Sequence, residues 1–243
     1  MPLLTLERQP LPAGDAPRRR ALRVLVDLDL PCNLDCVECP RRHRHPPPWP
    51  RGFGALAEQL LGSLAEDPTD QVAIAFYGGE PLLAADALCD LAARLREGAT
   101  ALGVRWSAGV LTNGTLLDAR QARKLSIAGI NAAQATLLGP RRHDGLRAFP
   151  GGEPTFDRIL DNVAGARGAI AWYLRAELGR PDDLGEVAAL LRSLDTHSVS
   201  RDDASVCVVV QPRAGYPEQA RVLCTALSGS LRMAQAGVDW LGA

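Results

Sequence analysis

The 243-residue chain predicts an α/β fold, a partial (β/α)6 barrel of parallel strands, and three observations predict it. Short apolar, β-branched segments alternate with helical segments six times along the chain, a pattern that implies a parallel sheet with helical crossovers. Right-handed crossovers curl such a sheet, but a closed eightfold barrel takes about 250 residues. Here an arm, a long loop and six units use the whole length. Every unusual motif also falls at the carboxyl end of a strand, where parallel α/β sheets bind their ligands.

The elements follow in order. Residues 1–20, rich in proline and arginine, are expected as a flexible N-terminal arm, and 21–243 as one domain. "ALRVLVDLDL" reads as the first strand, followed by a cysteine loop and by "RRHRHPPPWPRG", whose prolines forbid regular structure. "FGALAEQLLGSLAED" has apolar residues at helical spacing. "QVAIAFYGGE" is a strand ending in a glycine turn, and "PLLAADALCDLAARLREGA" a helix with Pro81 near its start, where proline is tolerated. The next strand–helix pair is "GVRWSAGVLTNG" with "LLDARQARKLSIAG". The fourth strand, "INAAQATLLG", leads through the loop 139–154 to the helix "TFDRILDNVAGA". "GAIAWYLRAEL" and "PDDLGEVAALLRSL" form the fifth pair, "ASVCVVVQP" and "PEQARVLCTALSG" the sixth.

Composition narrows the function. Apolar residues make up 47% of the chain, a globular content, and the formal net charge of -1 gives no general pull toward nucleic acid or anionic membrane. No run of 18 apolar residues exists to span a bilayer, and "MPLLTLERQP" is too short an apolar stretch for a signal peptide. The expectation is a cytoplasmic protein, with no nucleic-acid or membrane partner. Thiols there stay reduced, so clustered cysteines favour metal binding or catalysis over a disulfide.

Three of the six cysteines stand within eight residues: Cys32, Cys36 and Cys39, in a C-x3-C-x2-C array. Three thiolates can hold three irons of a [4Fe–4S] cube and leave the fourth open. The same three with His43 or His45 would instead make a Cys3His zinc tetrahedron in a non-catalytic binding protein. Cys89 and Cys224 on apolar helix faces, and Cys207 in a strand, read as inert core thiols. At the second strand end, Gly78 and Gly79 let backbone approach a ligand closely, and Glu80 supplies an anion for an ammonium group. Arg175 in the fifth strand can clamp a carboxylate bidentately.

Taken together, "CNLDCVEC" after strand one, "YGGEPLL" after strand two and "LTNGTLL" after strand three resemble the radical S-adenosylmethionine (radical SAM) superfamily. The resemblance covers roughly residues 22–212. It implies one [4Fe–4S] cluster on Cys32, Cys36 and Cys39, and S-adenosylmethionine held by Gly78, Gly79 and Glu80 at its amino end and Arg175 at its carboxylate, with Thr112, Asn113 and Thr136 near the ribose. It further implies reductive cleavage of the sulfonium, hydrogen-atom abstraction from a substrate, and a low-potential electron donor of flavodoxin or ferredoxin type. "GGEPLL", "TNGTLL" and "HDGLR…G…TF" are similar to the branch that modifies ribosomally made peptides and maturates proteins, which makes a peptide or protein side chain the expected substrate. The chain departs from that branch at Glu38, where an aromatic residue is usual, and at Thr136-Leu137-Leu138-Gly139, where Ser-Leu-Asp-Gly is usual. No cysteine-rich C-terminal extension for auxiliary clusters and no fused peptide-recognition domain is expected. "VVVQPRAGYPEQ" is similar to short small-molecule members such as the carboxy-deazaguanine synthases, so a small-molecule enzyme or a glycyl-radical-enzyme activase is the alternative. His143, Asp144 and Arg147 line the loop after strand four, with no assigned role.

Overall fold

The computed structural model of the chain describes residues 3–10, 20–42, 53–66, 69–178, 183–199 and 204–210. Seven strands form one sheet in sequence order: β1 (Leu3–Pro10), β2 (Arg20–Asp27), β3 (Gln71–Tyr77), β4 (Arg105–Leu111), β5 (Ala132–Thr136), β6 (Ala171–Leu178) and β7 (Ala204–Val210). From β2 to β7 every pairing is parallel, giving the six parallel strands of the expected partial barrel. The helices α1 (Gly54–Glu66), α2 (Ala85–Ala101), α3 (Ala119–Ala128), α4 (His143–Leu146), α5 (Phe156–Gly165) and α6 (Asp183–Thr196) lie between them in sequence.

Part of the stretch 1–20, expected as a flexible arm, is paired with the sheet. Leu3–Pro10 is a strand, paired antiparallel to β2 from Leu3 opposite Asp27 to Pro10 opposite Arg20. A short edge strand is held by main-chain hydrogen bonds and needs no strong apolar alternation, and a proline is tolerated there. The helix expected over 217–229 lies outside the described residues, as do Cys224, His43 and His45.

Strand parity divides the sheet into two unequal faces. Leu22, Val24 and Val26 on β2, Val72, Ile74 and Phe76 on β3, Val110 on β4, Ala133 and Ala135 on β5, and Trp172 and Leu174 on β6 all join the main core with the helices. The opposite face holds a separate small cluster, in which Ala73 and Ala75 pack with Leu25 and Leu111. Alternate residues point to opposite faces of a strand, so Gly109, Ala132, Gln134, Thr136, Tyr173 and Arg175 share this second face. The helix side carries most of the buried core, while the inner side combines small residues with half-buried polar ones.

Candidate active site

The cysteine loop starts where β2 ends. Leu28 and Leu30 remain buried and carry the chain off the sheet edge. Beyond Pro31 the loop is tied down at two points, by Asp35 N–H to the Ala148 carbonyl (3.0 Å) and Val37 N–H to the Leu146 carbonyl (2.9 Å). Its exit is clasped by Arg41, which pairs with Asp27 at the end of β2 and with Asp29 at 3.4 Å, and stacks over the Tyr77 ring at 5.8 Å. This clasp closes the loop at its base, and the sequence reading missed it. The available signal was an acidic residue, Asp27, ending an otherwise apolar strand segment, with a cation two residues beyond the last clustered cysteine.

Cys32 is exposed, beside the turn that follows β4, and Cys36 and Cys39 are half-buried. Donors already face two of the sulfurs: Leu34 N–H reaches Cys32 Sγ at 3.5 Å, Asn113 Nδ2 reaches it at 3.7 Å, and Arg41 N–H reaches Cys39 Sγ at 3.4 Å. Partial enclosure of the sulfurs, foremost, pushes the Cys32 and Cys36 thiols above the ordinary range. A metal binding to such thiols would displace their protons. Three clustered thiols, two of them faced by N–H donors, suit an iron–sulfur cluster, whose sulfurs are commonly hydrogen-bonded by the protein. Among the described residues no three His, Cys, Asp or Glu side chains converge on a single metal ion.

Gly78 and Gly79 have φ of 105° and 62°, the left-handed region that glycine occupies without strain. A Cβ on Gly78 would stand 2.1 Å from Asp27 Oδ1, and one on Gly79 1.9 Å from the Leu30 carbonyl oxygen. The close approach these glycines allow is therefore to the chain's own cysteine loop. Glu80 N–H continues the contact, donating to the Pro31 carbonyl at 2.9 Å.

The Glu80 carboxylate is fully buried. Its Oε1 accepts from Leu82 N–H (2.9 Å) and the Thr112 hydroxyl (2.8 Å), and its Oε2 from Asn113 N–H (2.7 Å). Burial pushes this carboxyl above its ordinary range, and the three donors oppose that shift. The side chain thus braces the turn after β3 against the Thr-Asn-Gly turn after β4. The Asn113 amide reaches back to Asn33 Oδ1 at 2.8 Å, and Asn33 Nδ2 donates to Thr115 Oγ1 at 2.9 Å. From α5, Asn162 Nδ2 holds the Gly114 carbonyl (2.8 Å) and Arg158 Nε the Thr115 carbonyl (2.9 Å).

Thr136 and Arg175 face each other in register across β5 and β6, both half-buried. Thr136 makes no side-chain hydrogen bond among the described residues. Glu80 and Arg175, expected to grip one amino acid from its two ends, serve different pairs of strands: every bond of the Glu80 carboxylate goes to the turns after β3 and β4. Cys89 is a buried thiol on α2, pushed up to about 11 by burial, and Cys207 stands opposite Arg175 in the β6–β7 register.

The loop after β5 is held by polar contacts of its own. Asp144 Oδ1 accepts from Thr155 N–H (2.7 Å) and Phe156 N–H (2.9 Å), capping the start of α5. The Arg147 carbonyl accepts the Thr155 hydroxyl at 2.6 Å. His143, fully buried, accepts Leu138 N–H on Nδ1 at 3.1 Å and packs edge-on against Phe156. Its Nε2 is buried with no partner, and burial lowers its pKa to about 4.

Residues 31–174, more than half of the chain, match the model of the Radical SAM superfamily. The chain belongs to the radical SAM superfamily. That superfamily uses a [4Fe–4S] cluster and S-adenosylmethionine. Among solved structures the chain is similar to anSMEcpe with bound AdoMet and Cp18Cys peptide, at 17% identity and a TM-score of 0.61, over 79% of this chain and 53% of that one. It is similar also to methylornithine synthase (PylB), at 14% identity and TM-score 0.58, over 90% of this chain and 67% of that one. HydG, a maturase of the [FeFe]-hydrogenase, aligns at 15% identity and TM-score 0.56, over 79% of this chain and 43% of that one. At these identities the likeness is one of fold. The chain spans about half the length of the anSMEcpe chain it matches. No curated protein sequence matches it. Among the described residues no helix is long and apolar enough to cross a membrane.

Proposed function

We propose that this radical SAM enzyme abstracts a hydrogen atom from a ribosomally made peptide or a protein side chain. The observation that carries the enzymatic reading is the loop of Cys32, Cys36 and Cys39, braced by the glycine turn after β3 and the Thr-Asn-Gly turn after β4, at the carboxyl end of a parallel sheet. Cys32, Cys36 and Cys39 would hold a cluster, which when bound would supply the electron for reductive cleavage of S-adenosylmethionine.

The chain's own residues bind, orient and exclude water. Cys32, Cys36 and Cys39 are the ligands. Gly78 and Gly79 set the turn that borders the amino end of S-adenosylmethionine. Glu80 holds that turn in place and lends it a fixed negative charge, while Arg175 takes the carboxylate. Thr112 gives its hydroxyl to Glu80, which leaves Thr136, beside Arg175, as the hydroxyl available to the ribose. A low-potential flavodoxin- or ferredoxin-type protein supplies the electron.

The peptide reading is supported by the "GGEPLL", "TNGTLL" and "HDGLR" segments and by likeness of fold to an enzyme crystallised with a peptide. Its test is the reconstituted protein with dithionite, S-adenosylmethionine and a deuterated precursor peptide encoded beside its gene. Deuterium in the 5′-deoxyadenosine formed supports the reading. Deuterium transfer from a small molecule and none from the peptide would overturn it.

A further inference from the structure

Asn113 has more of its hydrogen-bonding capacity engaged than a ligand-contact residue would. It is 8% exposed, and its main-chain N–H is fixed by the buried Glu80 carboxylate at 2.7 Å. Its Oδ1 accepts from both Thr115 N–H (3.0 Å) and the Thr115 hydroxyl (2.7 Å). These two donors set the orientation of the carboxamide, because a flipped amide would turn its NH2 against them. Nδ2 then presents one proton to Asn33 Oδ1 at 2.8 Å and the other toward Cys32 Sγ at 3.7 Å. A carboxamide offers two donors and two acceptor sites, and here all four are engaged. None is left for the ribose contact that the resemblance assigns to this residue.

We infer that Asn113 is a positioning residue of the iron–sulfur centre, its side-chain amide donating to the Cys32 thiolate, fixing that ligand and raising the reduction potential of the cluster. A donor at a ligand sulfur withdraws negative charge and so favours the reduced, more negative state of the centre. The same residue ties the cluster to the other half of the site. Its backbone is held by Glu80, which braces the glycine turn, so displacement of that turn is felt at a cluster ligand. The inference rests on Cys32 being a ligand, as proposed above.

The experiment is an EPR-monitored redox titration of the reconstituted protein and of two variants. Asn113→Ala removes the donor to sulfur. Asn33→Ala removes the amide's other acceptor, in the cysteine loop beside Cys32, but leaves the Thr115 contacts that orient the Asn113 amide. At equal iron content, the midpoint of Asn113→Ala should be more negative by about a tenfold change in the redox equilibrium, ~59 mV for a one-electron couple. Asn33→Ala should stay near wild type. A wild-type midpoint in cluster-loaded Asn113→Ala, or an equal shift in Asn33→Ala, overturns the inference. If Asn113→Ala takes up no cluster, pulsed EPR of the wild type labelled with 15N at the asparagine side chain decides. A weak nitrogen coupling to the reduced cluster that survives Asn33→Ala supports the inference, and its absence overturns it. Full iron in a folded Cys32→Ala protein would instead overturn the ligand assignment itself, a result separable from an unmoved midpoint.

Discussion

Replacing Glu80 separates a structural brace from a ligand contact. Its carboxylate holds two main-chain N–H groups, of Leu82 and Asn113, and the Thr112 hydroxyl, all in a buried site. Glu80→Ala strands two buried N–H donors at ~1–3 kcal/mol each. Relief of the carboxylate's own burial offsets part of this, leaving a net loss of about 1–5 kcal/mol. Glu80→Gln turns an NH2 toward either Asn113 N–H or the Leu82 and Thr112 donors, one clash of donor on donor, at a cost of about 1–3 kcal/mol. Urea unfolding of the two variants beside the wild type, with parallel titration of S-adenosylmethionine into reconstituted protein, reads both effects. The expected result is a lowered unfolding midpoint in both variants, with weaker binding that tracks it. A Glu80→Gln protein as stable as wild type but ten- to hundredfold weaker in binding would refute the brace, and would return Glu80 to direct contact with the ammonium group.

Two further outcomes follow from the same geometry. His143 is buried with a pKa near 4, below its unfolded value of about 6.5, so its contribution to stability is present above pH 6.5 and is lost as the pH falls toward 4. The loss amounts to roughly 3 kcal/mol over that window, and unfolding midpoints measured from pH 7 to pH 4 should fall more steeply in wild type than in His143→Leu; parallel profiles would contradict it. Gly79→Ala meets the Leu30 carbonyl, whereas Gly103→Ala, at φ 72° in open space, meets nothing within 4 Å. Denaturant unfolding should put Gly103→Ala within about 1–2 kcal/mol of wild type and Gly79→Ala at 3 kcal/mol or more, with iron uptake impaired only in Gly79→Ala; equal losses would refute the close approach.

The parallel sheet was legible because its signals are local. Apolar runs such as Val72–Phe76 alternate with helices whose buried residues, Leu56, Ala57, Leu60 and Leu64 in α1, recur at helical spacing. The strand β1 was not legible, because main-chain pairing to β2 leaves little trace in a segment punctuated by Arg8 and Pro10. At the site, sequence located the turns but not what they touch. Glycine signals close approach, yet the partner of Gly79 is Leu30, 49 residues earlier in the chain. Asp144, a conspicuous polar residue beside the site, caps α5, and His143 packs against Phe156 with its Nε2 unpartnered. The roles of Glu80 and Asn113 depend on hydrogen bonds between residues 33 and 81 positions apart, and no spacing rule reaches that far.

The central claim is that Cys32, Cys36 and Cys39 alone hold the cluster that S-adenosylmethionine engages. Iron and sulfide analysis with Mössbauer spectroscopy of the anaerobically reconstituted protein tests it most directly, using wild type, the triple Cys→Ala variant and Cys89→Ser. The account predicts about four irons and four sulfides per chain in wild type and in Cys89→Ser, with one iron site changing its signal on addition of S-adenosylmethionine, and no cluster in the triple variant. Stoichiometric zinc with no capacity for iron, or a cluster retained without the three cysteines, would contradict it.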